Sequence, residues 1–338
     1  MNGAFDPTIR TAIAHPNIAL IKYWGKFDET LAIPRSDSLS MTLDVYPTTT
    51  SVRLAPGAVR DTVLFNGSPA EEAERSRIVA FLDHIRSITG RSEPVAVETA
   101  NTVPTGAGLA SSASGFAALA VAAGSVFDLE LDPIALSRVA RRGSGSASRS
   151  LFSGFAVWHA GPRTGPDADQ GCFAEQLDCT AIDPALVIAV VNAGPKKVSS
   201  SAAMRRTVRT SPLYPAWVES SADDMREMKR AIATGDLAAV GEIAERNALG
   251  MHATMLAARP AVRYLTATSL DVIDAVEQLR RSGILAYVTI DAGPNIKIIC
   301  ERGDAASIAG RISALHESIR VVCAFPGPGA RLVESGAA

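Results

Sequence analysis

The segment LAYVTIDAGPNIKIIC, from Leu285 to Cys300, sets one acid between two apolar runs. The runs read as strands and Asp291-Ala-Gly-Pro-Asn295 as the turn between them. An aspartate at a strand end beside Gly-Pro can be held rigidly enough to accept a hydroxyl proton during phosphoryl transfer. It can equally close the turn by bonding its own backbone, the commonest fate of Asp in that setting. Asn295 and Lys297 carry the plainer readings of turn and edge-strand residues. A second segment, PTGAGLASSASG from Pro104 to Gly115, follows a predicted strand and leads into an apolar helix. Gly106 and Gly108 let backbone N–H groups turn toward a ligand, and Ser111 and Ser112 can cap a helix whose positive end attracts an anion. These are the requirements of a triphosphate cradle. No Gly-Lys-Ser/Thr follows, so it is not a Walker A loop, and Ser111 stands where a dinucleotide fingerprint needs its third glycine.

The cationic groups are distributed unevenly. Only six of the 33 basic residues are lysines, and four of them form the pairs Lys22/Lys26 and Lys196/Lys197. A lysine in an arginine-using chain marks a place for a compact, mobile point charge; chance clustering on a solvated face is the alternative. In AHPNIALIKYWGK, from Ala14 to Lys26, two ammonium groups and the Tyr23 phenol can bind a diphosphate. Trp24 reads as packing at a strand end and His15 as a structural histidine. In RRGSGSASRS, from Arg141 to Ser150, glycines expose backbone while Ser144, Ser146 and Arg149 offer donors. A guanidinium holds a carboxylate through two parallel hydrogen bonds, which makes Arg149 a carboxylate clamp. Arg141 and Arg142 read as a solvated helix end, and a flexible polar loop is the alternative for the whole segment.

The elements that must position these groups follow from periodicity. Short β-rich runs at Thr50–Leu54, Thr62–Phe65, Val95–Thr99 and Phe155–His159 mix with helical patterns at Glu71–Ile88, Ser112–Phe127 and Pro133–Arg142. From Ala185 the pattern becomes a strand at Leu186–Val191, then helices over Pro215–Ala233, Asp236–Ala257 and Ser269–Ser282. Strands Leu285–Ile290, Ile296–Cys300 and Ile319–Ala324, with a helix near Asp304–Leu315, complete a small sheet covered by helices. The expectation is an α+β chain of two domains, 1–184 and 185–338, with the Gly/Pro/Asp-rich stretch His159–Gln176 as a surface loop near the boundary.

Composition narrows the function classes. With 338 residues and 47% hydrophobic content the chain can bury its own cores without metal or disulfide staples. A formal charge of -2 provides no global field for nucleic acid, so anions must be held by local clusters. Cys172, Cys179, Cys300 and Cys323 form no CxxC pair, and the five histidines no HExxH, so no metal cage is expected. Met1–Thr11 lacks an apolar run of signal-peptide length and the most apolar stretch, Phe116–Phe127, is too short to span a bilayer, so the expected location is the cytoplasm.

Taken together, these segments resemble the three motifs of the GHMP kinase superfamily. The segments PNIALIKYWGK, GSGSASRS and DAGPN resemble, within it, the diphosphomevalonate decarboxylase family across nearly the whole chain. That resemblance implies an N-terminal ATP-binding domain like ribosomal protein S5 domain 2, a ferredoxin-like C-terminal domain and an active site between them. It implies a homodimer that uses ATP with Mg²⁺ to convert mevalonate 5-diphosphate to isopentenyl diphosphate, CO₂, ADP and phosphate. By motif position, Asp291 would be the base at the tertiary hydroxyl, Lys22 a charge near the transferring phosphoryl group and Arg149 the carboxylate partner. Tyr23, Lys26, Ser144 and Ser146 would hold the substrate diphosphate, with Ser199 and Ser200 approaching substrate or nucleotide phosphates. Asn101, Pro104, Gly106, Gly108, Leu109, Ala110, Ser111 and Ser112 would hold the nucleotide. Ser148 stands where the family often carries Cys, and Ala202–Ala203 where a glycine is usual before Met204. The rival readings are a monophosphate-specific decarboxylase, another GHMP kinase, and a non-catalytic binding module.

Overall fold

A computed structural model describes residues 9–102, 111–191 and 198–333. The first half runs β1 (Ile9–Ala14), β2 (Asn17–Ile21), β3 (Lys26–Asp28), β4 (Ile33–Pro34), β5 (Ser38–Thr42), β6 (Thr48–Leu54), β7 (Thr62–Phe65), β8 (Ser68–Pro69), α1 (Glu72–Thr89), β9 (Val95–Asn101), α2 (Ser111–Val126), α3 (Pro133–Gly143), α4 (Ala147–Ser150), β10 (Phe155–Trp158) and β11 (Ala174–Leu177). The second comprises β12 (Pro184–Val190), α5 (Ser200–Thr210), α6 (Tyr214–Thr234), α7 (Leu237–Leu256), α8 (Ala267–Arg281), β13 (Ala286–Ile290), β14 (Ile296–Glu301), α9 (Ala305–Ser313), β15 (Arg320–Ala324) and β16 (Arg331–Leu332).

Local chemistry sets the helix ends. Asp132 caps α3 by accepting from the Ala135 N–H with Pro133 in the first turn, and Thr266 and Ser269 form a reciprocal capping box on α8. Gly235 ends α6 at φ 77°, a left-handed position that glycine adopts without a Cβ penalty.

Three sheets carry the architecture, in the orders β16-β1-β6-β9-β7-β8, β11-β10-β5-β2 and β13-β14-β12-β15, beside the β3-β4 ribbon. The first packs on α1 and on alanine-rich α2, whose small side chains let the helix lie close to β1 and β6. The second and third sheets meet through α6 and α7 over one apolar core, which joins Ile18, Leu20 and Met41 to Met228, Ile243, Ile188 and Ile299. On its far face the third sheet is sealed by α8 and α9. Both faces of β12 and β14 are therefore covered, so β12 reads as a continuous apolar run and β14 as one interrupted by Lys297. The fold is α+β, and the chain end returns to the first half, where β16 pairs with β1.

Three expectations are corrected. Arg141, read as part of a solvated helix end, is buried and pairs with Asp169, and the stretch His159–Gln176, read as a surface loop, buries Ala168 and Cys172 and runs into β11. Lys297 lies not on an edge strand but on β14, hydrogen-bonded to β13 on one side and β12 on the other, opposite Thr289 and Ile188. A helix not anticipated from the pattern, α5, starts at Ser200 with Ser199 as its cap and buries Ala203.

Candidate active site

Two chain reversals aim the central groups at each other. Lys22 directly follows β2 and Asp291 directly follows β13, and the Lys22 Nζ donates to Asp291 Oδ1 at 2.7 Å. The same ammonium donates to the Ala19 carbonyl at 2.7 Å. Lys297 Nζ stands 3.1 Å from Asp291 Oδ2, so each carboxylate oxygen has its own ammonium. The turn is closed by main chain instead, with the Gly293 N–H donating to the Asp291 carbonyl at 2.7 Å.

Burial tunes these groups. It pushes the Asp291 carboxyl up, but the Lys22 and Lys297 charges outweigh it and hold the group well below the usual carboxylate range. Lys22 is 2% exposed, and burial lowers it to about 8 against the opposing pull of Asp291. Arg149, equally buried, is lowered to about 10 by desolvation.

Arg149 sits in α4, a short helix made possible by the glycines before it. A Cβ on Gly145 would fall 2.6 Å from the Trp158 ring, and one on Gly143 2.1 Å from Phe116. The guanidinium donates to Ser40 Oγ at 2.9 Å, Ser38 Oγ at 2.6 Å and Asn17 Oδ1 at 3.4 Å, and lies 5.6 Å from the Trp158 ring centroid. All these partners are neutral, and among the described residues no carboxylate lies within ion-pair distance of it. An incoming carboxylate would complete it. Ser148, the departure noted above, donates to the Gly145 carbonyl at 2.7 Å and closes its own turn.

The serine loop joins two predicted subsites. Ser144 Oγ lies 3.3 Å from both Ser146 Oγ and Ser112 Oγ, a chain of hydroxyls from the start of α2 to the Arg149 loop. Asn17 fixes this loop from β2 by donating to the Ser146 carbonyl and to Ser150 Oγ. Tyr23 packs edge-on against Trp158 at 4.8 Å, and its phenolic oxygen is buried with no hydrogen-bond partner among the described residues. Lys26 pairs with Glu29 at 3.1 Å. Ser199 spends its hydroxyl on the Ala202 N–H, and Ser200 is the half-buried first residue of α5.

Beside α2 lies an open cleft floored by Phe65, Ile78, Val97 and Leu119 and edged by Thr48, Asn101, Ser111 and Ser112. An apolar floor with a few polar groups beside a helix N-terminus suits a nucleoside and its phosphates. Pro104, Gly106, Gly108, Leu109 and Ala110 lie outside the described residues, as do Lys196 and Lys197.

Residues not singled out in the sequence hold the site from behind. Asn247 in α7 accepts from the Lys22 N–H at 2.8 Å and is itself fixed by donating to Ser221 and Asp224 of α6. His252, one turn further on, is lowered to about 4 by burial, and its Nε2 lies 3.1 Å from the Asp291 carbonyl. A carbonyl only accepts, so the neutral imidazole carries its proton on Nε2.

Comparisons with known proteins identify the family. Residues 14–174 match the family model for the diphosphomevalonate decarboxylase-like N-terminal domain, and residues 186–325 that for the mevalonate 5-diphosphate decarboxylase C-terminal domain. The chain is 36% identical over 327 residues to diphosphomevalonate decarboxylase mvd1 of Aspergillus fumigatus, covering 90% of this chain and 80% of that protein. A solved structure described as MDDEF in complex with MVAPP, AMPPCP and magnesium superposes with a TM-score of 0.90 at 40% identity, covering 97% of this chain and 99% of that one. The mevalonate diphosphate decarboxylase of Staphylococcus aureus gives 0.91 at 38% identity, with 97% and 98% coverage.

Proposed function

This chain belongs to the diphosphomevalonate decarboxylase family, its activity is that of a mevalonate diphosphate decarboxylase, and we propose that Asp291, Lys22 and Arg149 carry the reaction with ATP as phosphoryl donor. One observation carries this reading: a carboxylate bracketed by two ammonium groups is electrostatically coupled to a buried guanidinium whose described partners are all neutral.

In the proposed pose the substrate carboxylate enters against Arg149 and completes its hydrogen bonding. The diphosphate takes the Ser144 and Ser146 hydroxyls, the Tyr23 phenol and, in exchange for Glu29, Lys26. Ser199 and Ser200 stand at the start of α5 as further donors toward phosphate. This leaves the tertiary hydroxyl at Asp291 Oδ1. A carboxylate held this acidic is a weak base, and it accepts the hydroxyl proton late, as the bond to the transferring phosphoryl group forms. Lys22 supplies positive charge to that group in a water-poor site, where it acts most strongly. The new tertiary phosphate is a better leaving group than hydroxide. As it departs, the electrons of the bond to the carboxylate carbon form the alkene and CO₂ is released. Arg149 has by then fixed the carboxylate's orientation.

The nucleotide occupies the cleft beside α2, with Asn101, Ser111 and Ser112 at its polar edge. Mg²⁺ would be held mainly by the nucleotide's phosphate oxygens and water with few protein ligands, and would neutralise phosphate charge there. The described residues hold no group of three or more acidic, His or Cys side chains suited to a metal. A homodimer is proposed from family membership and is checked by light scattering.

The substrate assignment is tested by giving the purified protein ATP with mevalonate, its 5-phosphate or its 5-diphosphate. CO₂ is expected from the 5-diphosphate; release from the monophosphate alone contradicts the reading.

A further inference from the structure

We infer that Lys297 is a positioning residue for the reaction, a second ammonium that holds Asp291 in the orientation needed at the tertiary hydroxyl while Lys22 is shared with the phosphoryl group. The inference rests on Asp291 as the base.

Its first support is where the lysine lies. β14 is an interior strand of its sheet, and Lys297 is 1% exposed. Its neighbours on the strand, Ile296 and Ile298, belong to the core under α8 and α9, whereas Ile299 and the cross-strand partner Ile188 belong to the junction core. Burying an ammonium in such a place is costly, and a buried ion pair can commonly be replaced as a whole by apolar residues of similar size without loss of stability. Folding alone therefore gives little reason for the Lys297–Asp291 pair at this position.

The second support is geometry. Lys22 approaches Asp291 Oδ1 and Lys297 approaches Oδ2. Two cations on separate oxygens fix the plane of the carboxylate, which a single cation leaves free to rotate. The two are not equivalent, because Lys22 follows β2 of the first half whereas Lys297 belongs to the strand next to β13, which carries Asp291 itself. Lys297 also reaches the Asn295 carbonyl at 3.4 Å, inside the turn that Asp291 opens. Base and positioning group therefore move as one unit, and Lys22 can turn toward substrate without releasing the carboxylate.

Among the described residues, the charged and titratable groups around Asp291 are Lys22 after β2, Lys297 on β14, Arg149 on α4 and His252 on α7. Of these, Lys297 and Arg149 oppose the charging of Lys22, which burial already lowers to about 8. Removing Lys297 therefore has a signature that a packing defect lacks: Lys22 keeps its proton to higher pH.

The test compares wild-type, K297M, K297Q and K297R enzymes, each checked for fold by circular dichroism, through kcat, KM and the pH dependence of kcat/KM. For K297M and K297Q, kcat is expected to fall about 10- to 100-fold, the scale of a misplaced catalytic group, with both KM values within about threefold and the alkaline limb moved up by about 0.5 pH unit. K297R restores the bracketing charge; it should keep the alkaline limb at its wild-type position and regain part of the lost kcat. Wild-type kcat with an unmoved limb in K297M or K297Q overturns the inference, as does a loss of kcat in K297R equal to that in K297M. Should K297M and K297Q not fold, K297R alone decides: an inactive but folded K297R overturns it, and an active one with a wild-type limb supports it. D291N is measured in parallel. An active D291N removes the base assignment itself, whereas an inactive D291N beside unaffected Lys297 variants removes only this inference.

Discussion

For Arg149, the proposed role accounts for a burial that packing does not. A full charge is kept out of water by three neutral partners and an aromatic face, an arrangement that stabilises poorly and binds an anion well. R149Q should therefore lower kcat/KM for mevalonate 5-diphosphate by about 10- to 100-fold, the worth of charge-assisted hydrogen bonds, with ATP affinity little changed by calorimetry. Lys22 gives a pH prediction. With the group lowered to about 8, its positive charge is lost as pH rises through that value, so kcat/KM should fall above about pH 8. An arginine stays charged over this range, so in an active K22R enzyme that limb should disappear; its persistence would assign it elsewhere. Lys22, Arg149 and Asp291 were legible as candidate groups, each beside a plainer reading as a surface, loop or turn residue; that Lys22 and Asp291 meet was hidden by their separation in sequence. Lys297 was read as an edge residue because one strand's pattern does not reveal its position in the sheet. A lysine inside the apolar run IKIIC was the available signal.

At the scale of elements, the Gly-Ser-Gly-Ser loop is shaped by what lies beneath it. Phe116 and Trp158 leave no room for a Cβ at Gly143 or Gly145, so the loop is drawn down onto the aromatic rings with its serine hydroxyls outward. G145A should cost about 1–3 kcal/mol in urea unfolding, as overpacking does, and raise KM for the diphosphate more than KM for ATP. A fully stable G145A with unchanged KM would contradict this. Most long helices were readable to within two or three residues, because apolar periodicity and caps such as Asp132, Asp236 and Gly235 are local signals. Asn247 and His252 were not, since on α7 they look like ordinary polar residues of an amphipathic helix. Their partners lie 225 and 39 residues away in sequence, and only the packing of α7 on β2 and β13 gives them a purpose.

At the scale of the molecule, one core joins the two halves, and the site lies on that seam, with Lys22 and Arg149 from the first half and Asp291 and Lys297 from the second. Fold and site should therefore fail together on acidification. His252 is lowered from 6.5 to about 4 by burial, so the unfolded chain takes up this proton first. The neutral histidine's stabilisation is whole above pH 6.5 and is lost as pH falls toward 4, about 3 kcal/mol in all. Thermal melts of the wild type should decline across that window, and H252N should decline less steeply; parallel curves would refute the assignment. The central claim, that Asp291 is the base for phosphoryl transfer and that CO₂ loss follows from it, is tested most directly in D291N with ATP and mevalonate 5-diphosphate, by following ADP and CO₂ together. Both should fall by about 10²- to 10⁴-fold, with ATP binding kept within a few-fold. Near-normal release of either product would contradict the account.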